Sequence, residues 1–222
     1  MNIQQIETDL KHPDFHYRIK AIAALRDFPA EVAVPLLREH HQDREFLVRS
    51  FVARELGRQK IPASFELLLQ MMLCDDNPNV RAEAANSVSL FEDIAPPHLV
   101  QSFARDDNWL VRRSILGALA DMQCVAELLA VSQLGIAGED LSVKGTSIAA
   151  LATLAKTEFA AAALELILAN NDSTVEYVRI RVAHALRAFD APEAREALAQ
   201  LRQDESHRVV GAALEGLLPQ DV

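Results

Sequence analysis

Apolar residues recur along this chain at helical spacing, and they recur in blocks. The same string returns seven times: an apolar residue, usually valine, then a basic residue, then small and apolar residues ending on leucine or valine. It reads YRIKAIAAL from Tyr17, VRSFVAREL from Val48, VRAEAANSV from Val80, VRRSILGAL from Val111, VKGTSIAAL from Val143, VRIRVAHAL from Val178 and VVGAALEGL from Val209. Apolar positions at i, i+4, i+5 and i+8 form the buried stripe of an amphipathic helix. In the third copy these are Val80, Ala84, Ala85 and Val88. The second position of each copy falls at Arg18, Arg49, Arg81, Arg112, Lys144, Arg179 and Val210, at spacings of 31, 32, 31, 32, 35 and 31 residues. A period held this closely marks an array of repeats.

Each copy predicts one helix, here called B. A polar turn with an acid or amide precedes it, at Asp14, Asp43, Asn77, Asn108, Asp140, Asp172 and Asp204, and such residues are expected to cap the helix N-terminus. A second apolar segment, helix A, lies between copies, over residues 3–10, 32–37, 65–72, 99–103, 126–131, 159–168 and 194–201. Pro62, Pro96, Pro97 and Pro192 open several of these segments, where a missing N–H costs little. No strand pattern competes. The spacing therefore predicts an all-α fold, an α-solenoid of about seven helix-pair repeats near 1–28, 29–60, 61–92, 93–122, 123–156, 157–189 and 190–222, forming one domain over 1–222. A single helix pair would leave an apolar face wet, so stacking between repeats supplies the core.

Composition agrees with closely packed helices: only 7 glycines, 5% aromatic residues, and 50% hydrophobic against 24% charged. The formal charge of −10 repels phosphate backbones and anionic membranes, which disfavours nucleic acid as a partner. No apolar run is long enough to span a membrane, and the start, MNIQQIETDLKHPDF, lacks the basic and apolar blocks of a signal peptide, so a cytoplasmic location is expected. The two cysteines, Cys74 and Cys124, are expected to be reduced and buried.

Little in the sequence points to self-contained catalysis. No phosphate-binding glycine loop, nucleophile elbow, HExxH or paired CxxC occurs, so no catalytic residue and no metal ligand is assigned. His12 and His16 are separated by a turn at Pro13 and Asp14, His40 and His41 are expected in solvent, and two thiols fall short of the four an iron–sulfur cluster takes. Trp109 is expected to pack against a neighbouring turn.

The basic row invites an anion-binding reading, yet a structural one accounts for it better. Arg18, Arg49, Arg81, Arg112, Lys144 and Arg179 stand where they meet the acid of a neighbouring turn, forming an inter-repeat ladder of charge-assisted hydrogen bonds. Such a ladder sets register more than it adds stability. Functional individuality then belongs to the exposed positions of helix B, expected to line the concave side. These are Lys20, Phe51, Arg54, Arg58, Glu83, Asn86, Asp121, Arg181 and His184, joined by Leu90. Both charge signs mixed with apolar residues suit a protein partner better than a polyanion.

The tetratricopeptide and ankyrin signatures are missing, whereas Asp in the A–B turn followed by Val-Arg opening helix B resembles HEAT repeats. The repeat motif across nearly the whole chain is similar to the cyanobacterial HEAT-like group that holds the paired E and F subunits of phycocyanobilin lyases and the phycobilisome degradation protein. That resemblance implies a solenoid that handles phycobiliproteins, acting alone or paired with a second HEAT-like chain. It implies no catalytic triad. The leading expectation is a protein-binding solenoid that uses its concave B face, on a phycobiliprotein in phycobilisome assembly, chromophore handling or turnover. The alternative is a bilin lyase-like protein that takes phycocyanobilin as ligand and attaches or detaches it, with no other cofactor.

Overall fold

The computed structural model describes residues 1–215, so Gly216 and Leu217 of the seventh copy lie outside the described residues. Among these residues are fourteen α-helices and no strand. They pair as A and B: α1 (Ile3–Leu10) with α2 (Phe15–Ala24), α3 (Ala30–Glu39) with α4 (Phe46–Gln59), α5 (Pro62–Cys74) with α6 (Pro78–Val88), and α7 (Pro96–Arg105) with α8 (Trp109–Asp121). Three further pairs follow: α9 (Val125–Ala137) with α10 (Leu141–Ala152), α11 (Ala160–Leu168) with α12 (Glu176–Leu186), and α13 (Pro192–Leu201) with α14 (His207–Leu214). The chain packs as two compact units, Met1–Ala118 and one beginning at Leu119, with the boundary inside α8.

In the first unit the buried stripes are those the period marks. Val48, Val52, Ala53 and Leu56 of α4 and Val80, Ala84, Ala85 and Val88 of α6 are all buried. Each such Val or Leu contributes roughly 2 kcal/mol of hydrophobic stabilisation. Small residues let the B helices approach closely: a Cβ added to Gly57 would sit 2.8 Å from Ser87 Cβ on α6. Neighbouring B helices therefore pack along their length while neighbouring A helices meet sparsely. Tyr17 departs from the pattern: it holds the valine position of the first copy, yet it is exposed and lies against His12.

The second unit repeats the scheme with Val143, Ser147, Ile148 and Leu151 of α10 and Val178, Val182, Ala183 and Leu186 of α12 buried. Here the 35-residue interval is taken up between α10 and α11. Hydrogen bonds from Thr157 N to Leu154 O (3.0 Å) and Ala160 N to Thr157 O (3.1 Å) fold residues 153–159 into turns. Leu214, on the apolar stripe of the seventh copy, is exposed.

The caps require a correction. Asp14, Asn77, Asn108 and Asp140 accept hydrogen bonds from the first turns of their B helices. Asp43, Asp172 and Asp204 are not the caps: Glu45, Val175 and Ser206 stand at those positions. Asp43 and Asp204 sit two residues earlier, accept from the backbone N–H of Glu45 and Ser206, and turn their carboxylates toward an arginine of the preceding repeat.

Candidate protein-binding face on the B helices

What holds the B helices in register also fixes which of their side chains remain available. In the first unit Arg18 donates from Nε and Nη2 to Asp43 at 2.8 and 2.9 Å, Arg49 to Asp75 at 2.7 and 2.8 Å, and Arg81 to Asp106 at 2.6 and 3.2 Å. These are two-pronged pairs between adjacent repeats. The same arginines also donate Nη1 backwards to a carbonyl six residues earlier, at His12, Asp43 and Asp75, and Arg112 donates Nε to Asp106 O. Arg18, Arg49 and Arg81 thus close their own turns and clasp the next, whereas Arg112, expected in the ladder, only closes its own turn because Gly138 stands where the next acid would be.

The electrostatics follow from this geometry. Hydrogen bonds to Asp75 and Asp106 push the Arg49 and Arg81 guanidinium groups above their usual range. Burial alone would raise the Asp75 carboxyl, but the Arg49 hydrogen bond and the Asn77 backbone N–H outweigh it and hold the group low. In the second unit Arg179 pairs with Asp204 at 2.7 and 3.0 Å and donates to Ser173 O at 2.8 Å. Lys144 has no ion pair among the described residues.

With the row of Arg occupied in this way, the exposed B face of the first unit is read column by column along each helix. On α4 the column runs Leu47, Phe51, Arg54, Arg58. Leu47 is 42% exposed, Phe51 is half-buried, and both Arg54 and Arg58 reach solvent. The Arg54 guanidinium lies 5.0 Å from the Phe51 ring centroid and donates to both carboxylate oxygens of Glu83 on α6, at 2.8 and 3.1 Å. Its hydrogen bond to Glu83 raises its affinity for the proton further. Lys20 on α2, Asn86 on α6 and Leu90 just beyond α6 are exposed around this column.

Beneath it lies a residue the sequence reading passed over. Glu55 is 3% exposed, in a position where the other copies carry Ala, Ser or Gly, and its Oε2 has no hydrogen-bond partner although Arg58 Nε is 3.4 Å away. Burial pushes its carboxyl up, and Arg58, Arg26 and Arg54 only partly oppose that. A glutamate where a helix interface wants alanine was visible in the repeat alignment, and it was the available signal.

The remaining predicted face residues belong to the second unit. Arg181 is half-buried, 5.7 Å from the Tyr177 ring centroid, and donates to Gly145 O at 3.3 Å. His184 Nδ1 lies 3.3 Å from Glu215, which also accepts from Arg187 at 2.9 Å. Asp121 is exposed at the end of α8. Arg54 and Arg58 are therefore charges already paired within this chain and Arg181 is held by a backbone carbonyl, whereas Lys20 has no ion pair among the described residues.

Three further expectations are overturned. Cys74 is exposed at the end of α5 and Cys124 is half-buried, its thiol pushed up by burial and then by Glu127. Both sit at helix ends, where packing is incomplete. Trp109 is 45% exposed, with Arg113 5.6 Å from its ring centroid, because it precedes the buried stripe of α8 by two positions. His40 is not in solvent: its ring nitrogens lie 2.9 Å from Leu36 O and 3.2 Å from Leu10 O, linking the first two repeats. His16 bonds Asp14, and no cluster of metal-ligating side chains occurs among the described residues.

Comparison with known proteins bears on the fold. Residues 41–120 match the family of HEAT repeats. No curated protein sequence matches the chain. Among solved structures, the Escherichia coli protein YIBA_ECOLI aligns with a TM-score of 0.60 at 18% identity, over 99% of this chain and 93% of that one. The CpcE–CpcF complex of phycocyanin lyase from Nostoc sp. PCC7120 aligns with a TM-score of 0.53 at 18% identity, over 98% and 95%. At such identities the likeness is one of fold, and among the described residues no helix is long and apolar enough to cross a membrane. The helix pairs and these structural neighbours together make the chain an α-solenoid, whose residues 41–120 match HEAT repeats.

Proposed function

We propose that the chain is a protein-binding solenoid and that the B face of the first unit is its docking surface. The observation that carries this reading is the α4 column: exposed Leu47 and half-buried Phe51 stand beside a guanidinium that Glu83 fixes near the Phe51 ring. An apolar patch with an arginine already oriented has the composition of an interface hot spot, and holding the arginine in place lowers the entropy lost on binding. Lys20, Arg58 and Asn86 form a polar rim around it.

Affinity purification from the native cell, with co-eluting proteins identified for the wild type and for a Leu47→Asp/Phe51→Ala variant, tests this. A partner retained by the wild type and lost by the variant, at unchanged helicity, supports the face. Identical co-eluting sets overturn it.

A second reading makes the partner a phycobiliprotein and the protein a handler of its bilin, by itself or with a second HEAT-like chain. The repeat motif and the likeness in fold to the CpcE–CpcF complex support it. In that case Arg58 and Lys20 would meet bilin propionates. Adding phycocyanobilin to the purified protein tests the reading, and an unchanged visible spectrum at stoichiometric protein overturns it.

A further inference from the structure

On the A side of the second unit, between α11 and α13, a groove of about 490 Å³ opens over Leu164, Leu168 and Phe189. Its walls are low because alanines face it from both sides, Ala160 and Ala161 on α11 and Ala191 just before α13. Its rim is of one sign. Glu165, Asp190 and Glu193 edge the apolar floor, and an adjoining cleft of about 270 Å³ shares Leu168 and Glu193 and adds Asp172 and Glu196. No lysine or arginine lines either cavity; Arg195, on the same helix, is turned to Asp190 at 2.7 Å. In the cleft wall Asn171, 8% exposed, keeps its amide hydrogens on Asp172 and Gln200, while its Oδ1 is an acceptor with no donor.

From this we infer that the α11–α13 groove docks a basic amphipathic helix of a partner protein. The floor requires apolar side chains on one stripe, and the carboxylate rim requires Lys or Arg on either side of that stripe. The flanking helices hold 9 and 10 residues, which at helical rise span about 14 to 15 Å, so the occupant needs roughly three turns. Nucleic acid and anionic lipid carry the wrong sign for this rim. The site is separate from the face proposed for the first unit and does not depend on it.

The probe is a fluorescein-labelled helical peptide of about 14 residues, with Leu at i, i+3, i+4 and i+7 and Lys at the exposed positions, titrated with the full chain and read by anisotropy. Glu165→Lys/Glu193→Lys is expected to weaken binding by about tenfold or more, and the same number of reversals at Glu31 and Glu66 on α3 and α5 to change it less than about twofold. A peptide keeping its lysines but with Gln for Leu, and one keeping its leucines but with Glu for Lys, are both expected to fail. Equal losses from the two pairs of reversals would reduce the binding to diffuse attraction by an acidic chain and overturn the groove. Undiminished binding of the Gln peptide would overturn it as well. Self-association of the chain abolished by Glu165→Lys/Glu193→Lys would place a second copy in the groove and overturn a separate basic partner. Circular dichroism of each variant verifies that the helices remain.

Discussion

The two units solve the same stacking problem with different residues. Six positions before the basic residue of each repeat stands the slot whose side chain the preceding arginine grasps. In the first unit it is occupied by Asp43, Asp75 and Asp106, and the ladder runs unbroken. Further along, the equivalent residues are Gly138, Ser173 and Asp204, and within the second unit only Arg179–Asp204 is formed among the described residues. Between α10 and α12 another device stands in: Tyr177 lies across Gly145 so closely that an added Cβ would fall 2.5 Å from its hydroxyl, and Arg181, stacked on Tyr177, bonds the Gly145 carbonyl. The lesson is that the ion-pair ladder is one way to fix register and an aromatic ring on a glycine is another.

The largest expected effect comes from breaking the ladder. Asp43→Ala leaves a guanidinium whose side chain is 7% exposed with only carbonyl partners, and should lower stability by about 3 kcal/mol in denaturant unfolding. Asp172→Ala, at the turn of a repeat where no arginine is grasped, should cost less than about 0.5 kcal/mol. Equal losses would erase the difference between the units.

Next in size is the ring on the glycine. Gly145→Ala gains helix propensity of about 1 kcal/mol but collides with Tyr177, so the single change should destabilise by about 1 kcal/mol. In a Tyr177→Ala background the same change should stabilise, and the reversal of sign in the double-mutant cycle is the measurement. Additivity across the cycle would remove the contact from the account.

The smallest effect concerns Glu55, whose buried position in the second unit is held by Ala150 and Ala185. Its folded-state carboxyl titrates above the ordinary value of 4.5, so its charge disfavours folding above the folded-state value and does nothing below 4.5. Glu55→Gln should therefore raise thermal stability at pH 7 by about 1 kcal/mol, with the gain vanishing as the pH falls to 4. Asp75 and Asp204 run the opposite way. Their lowered values give stability that is present above pH 4 and lost as acid protonates them. A gain for the glutamine variant that persists at pH 4 would locate the effect in packing and not in charge.

The fold was legible because its signals are local: a helical period, prolines in first turns, and an arginine at a nearly constant interval. The ladder acids were harder to read. Asp43 and Asp204 look like caps in the sequence, and only the backbone path shows that the cap follows two residues later. The face was legible as a set of positions but not as a chemistry, since the partners of Arg54 and Arg181 sit 29 and 36 residues away. Trp109 and Cys74 have residue types that favour burial, yet both lie at helix ends outside the stripe, and place decides their exposure. The acidic groove depends on alanines at two helices and on the extra turn residues before α11, none of which forms a motif.

The backward hydrogen bond of each ladder arginine has one more consequence. Because the turns at Asp43 and Asp75 each offer a carboxylate to the repeat before and hold the arginine that grasps the repeat after, in the same reading frame, that joint is indifferent to which two repeats it joins. Duplicating or excising the segment from one arginine to the next restores an identical joint, so this part of the chain can lengthen or shorten by whole repeats without a new interface having to evolve.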